Sequence, residues 1–257
     1  MVKGLYTSYT GMLNEQHRLD TVANSIANFN TTGFKKEGAT AQAFDDVLAY
    51  KIKDVSEAGN LPRRMGIINP GVKIGENYVD WSEGSFKETG NTFDLAIAAT
   101  GFFTIEFTDK QGATSTKYTR DGSFCVDNTG MLRTPDGDYV LNGNGQRIRL
   151  DPLQEATINR AGQIYQNNAL VATIGITDFE NYDYLEKYGE NMYQPVEGAT
   201  QKPGNYQIYS GYLEQSNVSI VDEMVNMISI QRSYEANQKL IQTFDSSLET
   251  ATQLGRL

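Results

Sequence analysis

Apolar residues recur most regularly near the end of the chain, in residues 213–257. One row with a seven-residue spacing holds Ile220, Met227, Tyr234, Ile241 and Leu248. A second row, three positions further on, holds Ile230, Phe244 and Ala251, and its polar members are Glu223 and Asn237. Two such rows are typical of the a and d positions of a coiled coil. With no Gly or Pro between Tyr212 and Leu254, the pattern predicts one helix of roughly 36 residues, beginning at a cap formed by Ser219 and Asp222.

The first 28 residues predict a second helix with the same kind of apolar row. Its members follow one another at alternating three- and four-residue steps, with Gln16 as the polar exception: Leu5, Tyr9, Met12, Leu19, Ala23 and Ile26. After Ile26 the polar run from Asn28 to Thr32 competes with the helix for backbone hydrogen bonds, and Gly33 can adopt positive φ. The helix should therefore end near residue 28, and we expect the two terminal helices to pair.

An isolated pair of helices is weakly stable. The apolar rows of the two helices would form the seam between them. Burying a side chain of this seam contributes roughly 1.5 to 3 kcal/mol, whereas ordering each residue of a helix costs about 1 to 2 kcal/mol. Most residues of each helix lie outside the seam and therefore add cost without burial. Other copies of the chain could supply the missing apolar contacts. The predicted assembly interface comprises Leu5, Tyr9, Met12, Leu19, Ile26, Ile220, Met227, Ile230, Tyr234, Ile241, Phe244 and Leu248.

The middle of the chain has the pattern of a β-rich domain. Of the 24 glycines, 18 lie between Gly66 and Gly211, which indicates many turns. Short alternating runs predict about ten strands and a hairpin turning at residues 135–137. These runs include residues 95–97, 103–107, 124–126, 146–150, 156–159, 162–166 and 171–179.

The predicted fold class is therefore α+β, with long terminal helices paired as a coiled coil and an inserted β-rich domain that is barrel-like or sandwich-like. The expected domains are a helical module of residues 1–35 and 213–257, an extended connector of residues 36–70, and a β-rich domain of residues 71–212.

The charge and composition exclude several classes of function. The formal charge is -10, from 22 basic and 32 acidic residues, which disfavours nucleic acid as a partner. No apolar run reaches the 18 or so residues of a membrane helix. Ala41-Gln42-Ala43 has the small-x-small form of a cleavage site, but no basic start with an apolar core precedes it, so we expect no cleavable secretory signal. The single cysteine, Cys125, should be a buried structural thiol.

The residues do not suggest catalysis or a metal site. His17, the one histidine, lies off the apolar row, and it should be solvated or interfacial. Asp127, Asp136 and Asp138 occupy positions where hairpin turns favour Asp, and the spacing of a calcium loop is missing. We expect no catalytic residue, no cofactor and no metal.

Several stretches together resemble a known family. Residues 21–37, TVANSIANFNTTGFKKE, resemble the N-terminal signature of the rod and hook proteins of the bacterial flagellum. Residues 93–103 and 118–124, the run from Asp127 to Leu132, and residues 211–245 resemble other parts of the same family in the same order. There are two departures: Ser25 replaces a usual Asn, and Ala99 replaces a usual Gly, where it could crowd a tight strand entry.

The resemblance implies a structural role. In this family the terminal helices pack with those of neighbouring subunits into an inner tube, and the β domain forms an outer layer. The length is similar to that of rod subunits, and residues 231–239 resemble the distal-rod subunit, with the proximal subunit as the alternative. The implied partners are copies of the same chain, other rod and hook subunits and the flagellar type III export apparatus, at the basal body.

Two other classes of function remain as alternatives. A secreted β-domain adhesin would explain the Tyr-rich middle but not the two seam helices. A wall-cleaving hydrolase would need a carboxylate or histidine site in a cleft.

Overall fold

A computed structural model of the chain describes residues 2–51, 63–110, 112–189, 191–204 and 206–255. The fold is α+β, with one helix near each end and a β-rich middle, as predicted. The chain divides into two compact units. The helical unit comprises Met1–Ala27, Glu37–Asp80 and Ser219–Leu257, and the β unit comprises Asn28–Lys36 and Trp81–Val218.

The two helices match the apolar pattern closely. Helix α1 spans Val2–Ala27 and ends just before the polar run that was expected to stop it. Helix α2 spans Ile220–Leu254, 35 residues, or roughly 52 Å. Ser219 is its N-cap residue, but the Ser219 side chain makes no capping hydrogen bond, so that detail of the prediction is wrong. Asp222 and Glu223 instead lie in the first turn, where carboxylates interact favourably with the helix dipole.

The described residues of 37–51 and 63–80 contain four paired strands and belong to the helical unit. The four strands are β1 Glu37–Ala43, β2 Val47–Lys51, β3 Arg63–Ile68 and β4 Val72–Val79. Strand β1 pairs antiparallel with β4, and β2 pairs antiparallel with β3. The Thr7 hydroxyl of α1 donates a hydrogen bond to the Pro70 carbonyl at 3.2 Å. Much of the segment expected to be an extended connector is thus hydrogen-bonded structure beside α1.

The β unit contains sixteen short strands within the described residues. Their bounds are β5 Phe86–Glu88, β6 Leu95–Ala98, β7 Phe102–Thr108, β8 Thr114–Thr119, β9 Cys125–Val126, β10 Leu132–Arg133, β11 Tyr139–Val140, β12 Ala156–Ile158, β13 Gln163–Gln166, β14 Ala169–Thr173, β15 Ile176–Phe179, β16 Leu185–Tyr188, β17 Met192–Pro195, β18 Gln201–Lys202, β19 Gln207–Ser210 and β20 Tyr212–Glu214. Nine of them form one sheet, in which β16, β17, β8, β7, β11, β10 and β9 follow in order and β15 pairs with β7 and β18. A three-stranded sheet joins β12, β13 and β14, and the pairs β6–β19 and β5–β20 bring the end of the unit back to its beginning.

Two apolar clusters form the core of the β unit. The larger one contains Leu95, Ile97, Phe103, Phe124, Leu132, Val140, Ile148, Leu150, Ile164, Ile174 and Ile208. The smaller one contains Phe102, Tyr118, Phe179, Leu185 and Tyr193, with Trp81 packed against it. Adjacent residues Phe102 and Phe103 lie in different clusters, because neighbouring side chains of a strand point to opposite faces.

Several strand predictions are confirmed and others are wrong. The hairpin at residues 135–137 forms, with Arg133 of β10 paired to Tyr139 of β11. Residues 146–150 make only isolated bridges rather than a strand. The strand expected at 171–179 splits into β14 and β15 at Gly175, where a Cβ atom would lie 2.7 Å from the Asn142 carbonyl oxygen. Cys125 is exposed rather than buried.

Ala99 has a strained backbone at the entry to β7. Its φ is +78°, a left-handed conformation that costs an L-residue roughly 1 to 2 kcal/mol. The conformation is held on both sides, since the Ala99 amide donates to Glu83 Oε1 at 2.5 Å and its carbonyl accepts from Arg120 Nη2 at 2.8 Å. This strain explains why a glycine suits the position.

We predict that Ala99→Gly stabilises the β unit by about 0.5 to 1 kcal/mol, because the relief of strain exceeds the extra entropy of glycine in the unfolded chain. Urea unfolding followed by Trp81 fluorescence measures the change. Ala96→Gly is the matched control, since buried Ala96 in β6 has no positive φ, and it should be destabilising. Equal losses of stability in both variants would contradict the assignment of strain to Ala99.

Candidate assembly interface

Helices α1 and α2 approach closely along an antiparallel seam. A methyl group added at Gly4 would lie 2.8 Å from Phe244 Cζ, and one added at Gly11 would lie 3.2 Å from Asn237 Nδ2. Gly4 and Gly11 are seven residues apart, as are Asn237 and Phe244, the residues opposite them on α2. The absence of side chains on α1 at these positions lets the two backbones come together.

Up to residue 244, the two predicted rows of α2 lie on its covered face. From residue 220 to 244 the buried and half-buried residues are Ile220, Glu223, Met227, Ile230, Tyr234, Asn237, Ile241 and Phe244, and every other residue of α2 is exposed. Only Glu223 and Ile230 are buried. Leu248 and the last turn are exposed. One copy therefore covers a narrow stripe of α2 and leaves most of the helix surface in solvent.

The covered face of α1 is polar rather than apolar. Its buried residues are Ser8, Thr10, Asn14, Thr21 and Ser25. The predicted row residues Leu5, Met12, Leu19 and Ile26 are half-buried, and Tyr9 is 46% exposed. Asn14 Oδ1 and Ser25 Oγ are buried without a hydrogen-bond partner in the described residues, which weakens the seam.

Both helices also present exposed apolar faces outside the seam. On α2 the exposed residues Val221, Met224, Val225 and Ile228 follow the spacing of one helical face,. On α1 the exposed residues are Tyr6, Tyr9 and Leu13. Contiguous exposed apolar surface of this kind is typical of protein interaction sites.

A second feature, in the β unit, is a cluster of three buried charges. Glu214 of β20 accepts from Lys35 Nζ at 2.5 Å through Oε1 and from Arg120 Nη1 at 3.2 Å through Oε2. The side chains of Lys35, Arg120 and Glu214 are 1%, 5% and 0% exposed. Burial lowers the pKa of Lys35, and the attraction of Glu214 opposes that shift.

Backbone contacts around this ion cluster join the segments next to the two helices. The Gly33 amide donates to the Glu214 carbonyl at 2.8 Å, and the Lys36 amide donates to Asn217 Oδ1 at 2.7 Å. The Thr32 hydroxyl donates to Asp121 Oδ1 at 2.7 Å. Residues 28–36, 120–121 and 214–217 therefore form one polar network within the β unit.

The structure shows which features the sequence reasoning missed. The seven-residue spacing of Gly4 and Gly11 was a signal for the close approach of the helices, but the prediction considered apolar residues alone. The ion cluster had no signal in spacing, because Lys35 and Glu214 are 179 positions apart. Its three residues do lie within the stretches 21–37, 118–124 and 211–245 that carry the family resemblance.

The described residues do not bring together a group of three His, Cys, Asp or Glu side chains that could hold a metal ion. His17 Nε2 lies 2.9 Å from Asn77 Oδ1.

A cavity of about 290 Å³ in the β unit is lined by several residues, including Asp121, Asp136 and Asp138. Burial raises the pKa of Asp138, and the nearby Asp136 charge adds to the rise.

No helix among the described residues is long and apolar enough to cross a membrane.

Three family models match the chain. They are described as "Flagella basal body rod protein", over residues 5–35, "Flagellar hook protein FlgE/F/G D1 domain", over residues 96–166, and "Flagellar basal body rod FlgEFG protein C-terminal", over residues 209–254. The first and last matches include most of α1 and α2, and all three residues of the ion cluster lie within the matches.

Curated relatives match along their whole length. The flagellar basal-body rod protein FlgG of Bacillus subtilis is 37% identical over an alignment of 272 positions, which covers 100% of both chains. The flagellar basal-body rod protein FlgF of Mesorhizobium japonicum is 33% identical and covers 99% of both chains. The flagellar hook-basal body complex protein FlhO of Bacillus subtilis is 29% identical and covers 100% of both.

We predict that Gly11→Leu loosens the pairing of α1 with α2, although leucine is a better helix former than glycine by about 0.8 kcal/mol. The larger side chain would collide with Asn237 and separate the helices. Hydrogen exchange of the α1 and α2 amides should become faster. Gln16→Leu is the control, because Gln16 is exposed and should leave exchange unchanged. Unaltered protection in Gly11→Leu would show that the seam is not closely packed at this point.

Proposed function

Because the chain belongs to the family of flagellar basal-body rod proteins, we propose that it polymerises with further copies of itself into a hollow helical shaft of the rod. It is a structural subunit of the rod. In this proposal the shaft transmits motor torque towards the hook.

The observation that carries the proposal is the small covered surface of the terminal helices. Helix α2 has 35 residues, of which only Glu223 and Ile230 are buried among those described. Exposed apolar residues such as Val225 and Ile228 on α2 and Tyr6 on α1 are costly in water. Contacts with neighbouring copies would cover them and add the stability that the pair lacks.

The polymer would grow through contacts between different faces of the same chain. A contact of this heterologous kind, repeated with a rotation that does not close, produces an open helical filament. In the proposed assembly the twelve predicted interface residues pack the terminal helices into coiled coils, both within one copy and between copies. The β unit would form the outer layer.

We place the subunit in the distal rod. The resemblance of residues 231–239 and the similarity to the FlgG rod protein of Bacillus subtilis support this choice. The alternative is a proximal-rod or other axial subunit of the hook-basal body, which the similarity to the FlgF protein of Mesorhizobium japonicum favours. Neighbouring partners would be other rod and hook subunits.

Export would follow the route of the flagellar axial proteins. The chain would pass unfolded through the flagellar type III apparatus, without a cleaved signal peptide, and would fold where it joins the growing rod at the basal body. The proposed role requires no catalysis and no cofactor.

We predict that Ile241→Asp and Phe244→Asp prevent polymerisation while the β unit stays folded. A carboxylate on the covered face of α2 would be desolvated in the helical layer without a partner. Electron microscopy of the variants should show no tubes, and the urea midpoint followed by Trp81 fluorescence should equal that of the unaltered chain.

Ser247→Asp is the control for this test, because exposed Ser247 lies on α2 away from both the seam and the face of Val221 and Ile228. It places the same charge on α2 outside the seam and should assemble normally. Tubes formed by Ile241→Asp and Phe244→Asp would contradict the role of this face in assembly.

A further inference from the structure

We propose that Glu214 is the closing residue of the β unit: the unit completes its fold only when this carboxylate reaches the two buried cations Lys35 and Arg120. The proposal deepens the proposed function, on which its biological meaning rests, by naming a device that delays folding. The device itself is a property of the β unit and can be tested on the purified chain.

The charge balance makes closure conditional on Glu214. The Lys35 and Arg120 side chains are almost completely removed from water, and a buried cation without a counter-charge is strongly unfavourable. Their other hydrogen-bond acceptors are neutral carbonyls, of Ser82 for Lys35 and of Ile97 and Ala99 for Arg120. These carbonyls accept hydrogen bonds from the two cations but do not neutralise their charges.

Another carboxylate does not replace Glu214. Glu83 also attracts Lys35, but its effect on the Lys35 charge is weaker than that of Glu214. Glu83 Oε1 accepts from the Ala99 amide at 2.5 Å. Glu214 uses both of its oxygens on the cluster, and Oε1 also accepts from the Gly84 amide at 3.2 Å.

Because Glu214 comes late in the chain and the two cations come earlier, the cluster can act as a folding gate: the β unit completes its fold only after Glu214 is available. Lys35 and Arg120 precede Glu214 by 179 and 94 positions, and the β unit ends at Val218. A chain that emerges with its N-terminus first therefore exposes both cations long before the carboxylate. Until residue 214 is available, closing the unit would bury two cations that lack this partner.

Such a delay suits a subunit that must travel unfolded. When the chain leaves a narrow export channel with its N-terminus first, the β unit stays open until Glu214 emerges, so it closes only when nearly the whole chain is available. The time at which the β unit folds is thus set by the position of one carboxylate near the end of the unit.

A double-mutant cycle of Glu214→Gln and Lys35→Met in the full-length chain tests the proposal. Trp81 is the reporter, because this single tryptophan precedes Ser82 in sequence and packs on Tyr193, with 4.8 Å between ring centroids. Glu214→Gln should lower the urea midpoint by about 1 to 2 M, since it leaves buried cations unpaired. Lys35→Met should rescue Glu214→Gln, and the double variant should recover about half of the loss.

Asp178→Asn is the matched control. Asp178 is a buried carboxylate of the same unit that accepts from the Thr100 and Tyr182 hydroxyls and pairs with Lys202. Within the described part of the chain, no hydrogen bond or ion pair joins it to Lys35, Arg120 or Glu214. Its loss of stability should be the same with Lys35 and with Met at position 35.

Each outcome decides the proposal. If Glu214→Gln does not fold, a cooperative Trp81 transition in the double variant supports the gate, and a double variant that also fails to fold overturns it. Additive losses, or a loss from Glu214→Gln below about 0.3 M, also overturn it. None of these results depends on polymerisation, so a failed gate would leave the rod proposal standing.

Discussion

The terminal helices have more apolar surface than one copy of the chain can cover, and this uncovered apolar surface constrains the rest of the structure. The seam between α1 and α2 is narrow because it is lined by glycines and small polar residues on α1. Close approach of the backbones limits the area that each helix buries. The residues that would normally drive a helix pair together remain half-buried or exposed, and this exposed apolar surface is the basis for the proposed association with further copies.

The β unit has a different balance of interactions. Its two apolar clusters are well covered by short antiparallel strands, and its ion cluster ties the segment after α1 to the segment before α2. A buried ion triad contributes little net stability compared with apolar packing, but breaking it is costly. The cluster therefore specifies that residues 28–36 and 214–217 meet within the β unit, and it makes that meeting a requirement for a complete fold.

The sequence predicted the elements whose signal is periodic. Both helices and most of the covered face of α2 followed from the regular spacing of apolar residues, because a long helix repeats the same environment many times. The helix ends near Ala27 and Ser219 followed from the polar residues beside them. The polar seam of α1 was not predicted, since Ser25 and Thr21 are buried only through their contacts in the folded chain. The strand expected at residues 171–179 broke at Gly175 because the Asn142 carbonyl, which is distant in sequence, comes close to it. The ion cluster was hidden for the same reason, although its residues lie in the stretches that carry the family resemblance.

The role of the terminal helices in assembly is tested by comparing the full-length chain with a shortened chain of residues 28–218, by negative-stain electron microscopy and light scattering. These boundaries remove both helices and retain Lys35, Arg120 and Glu214. The full-length chain should form tubes, alone or after neighbouring rod subunits are added, and the shortened chain should stay a folded monomer. Tubes formed by the shortened chain would contradict the central claim that the terminal helices are the assembly elements.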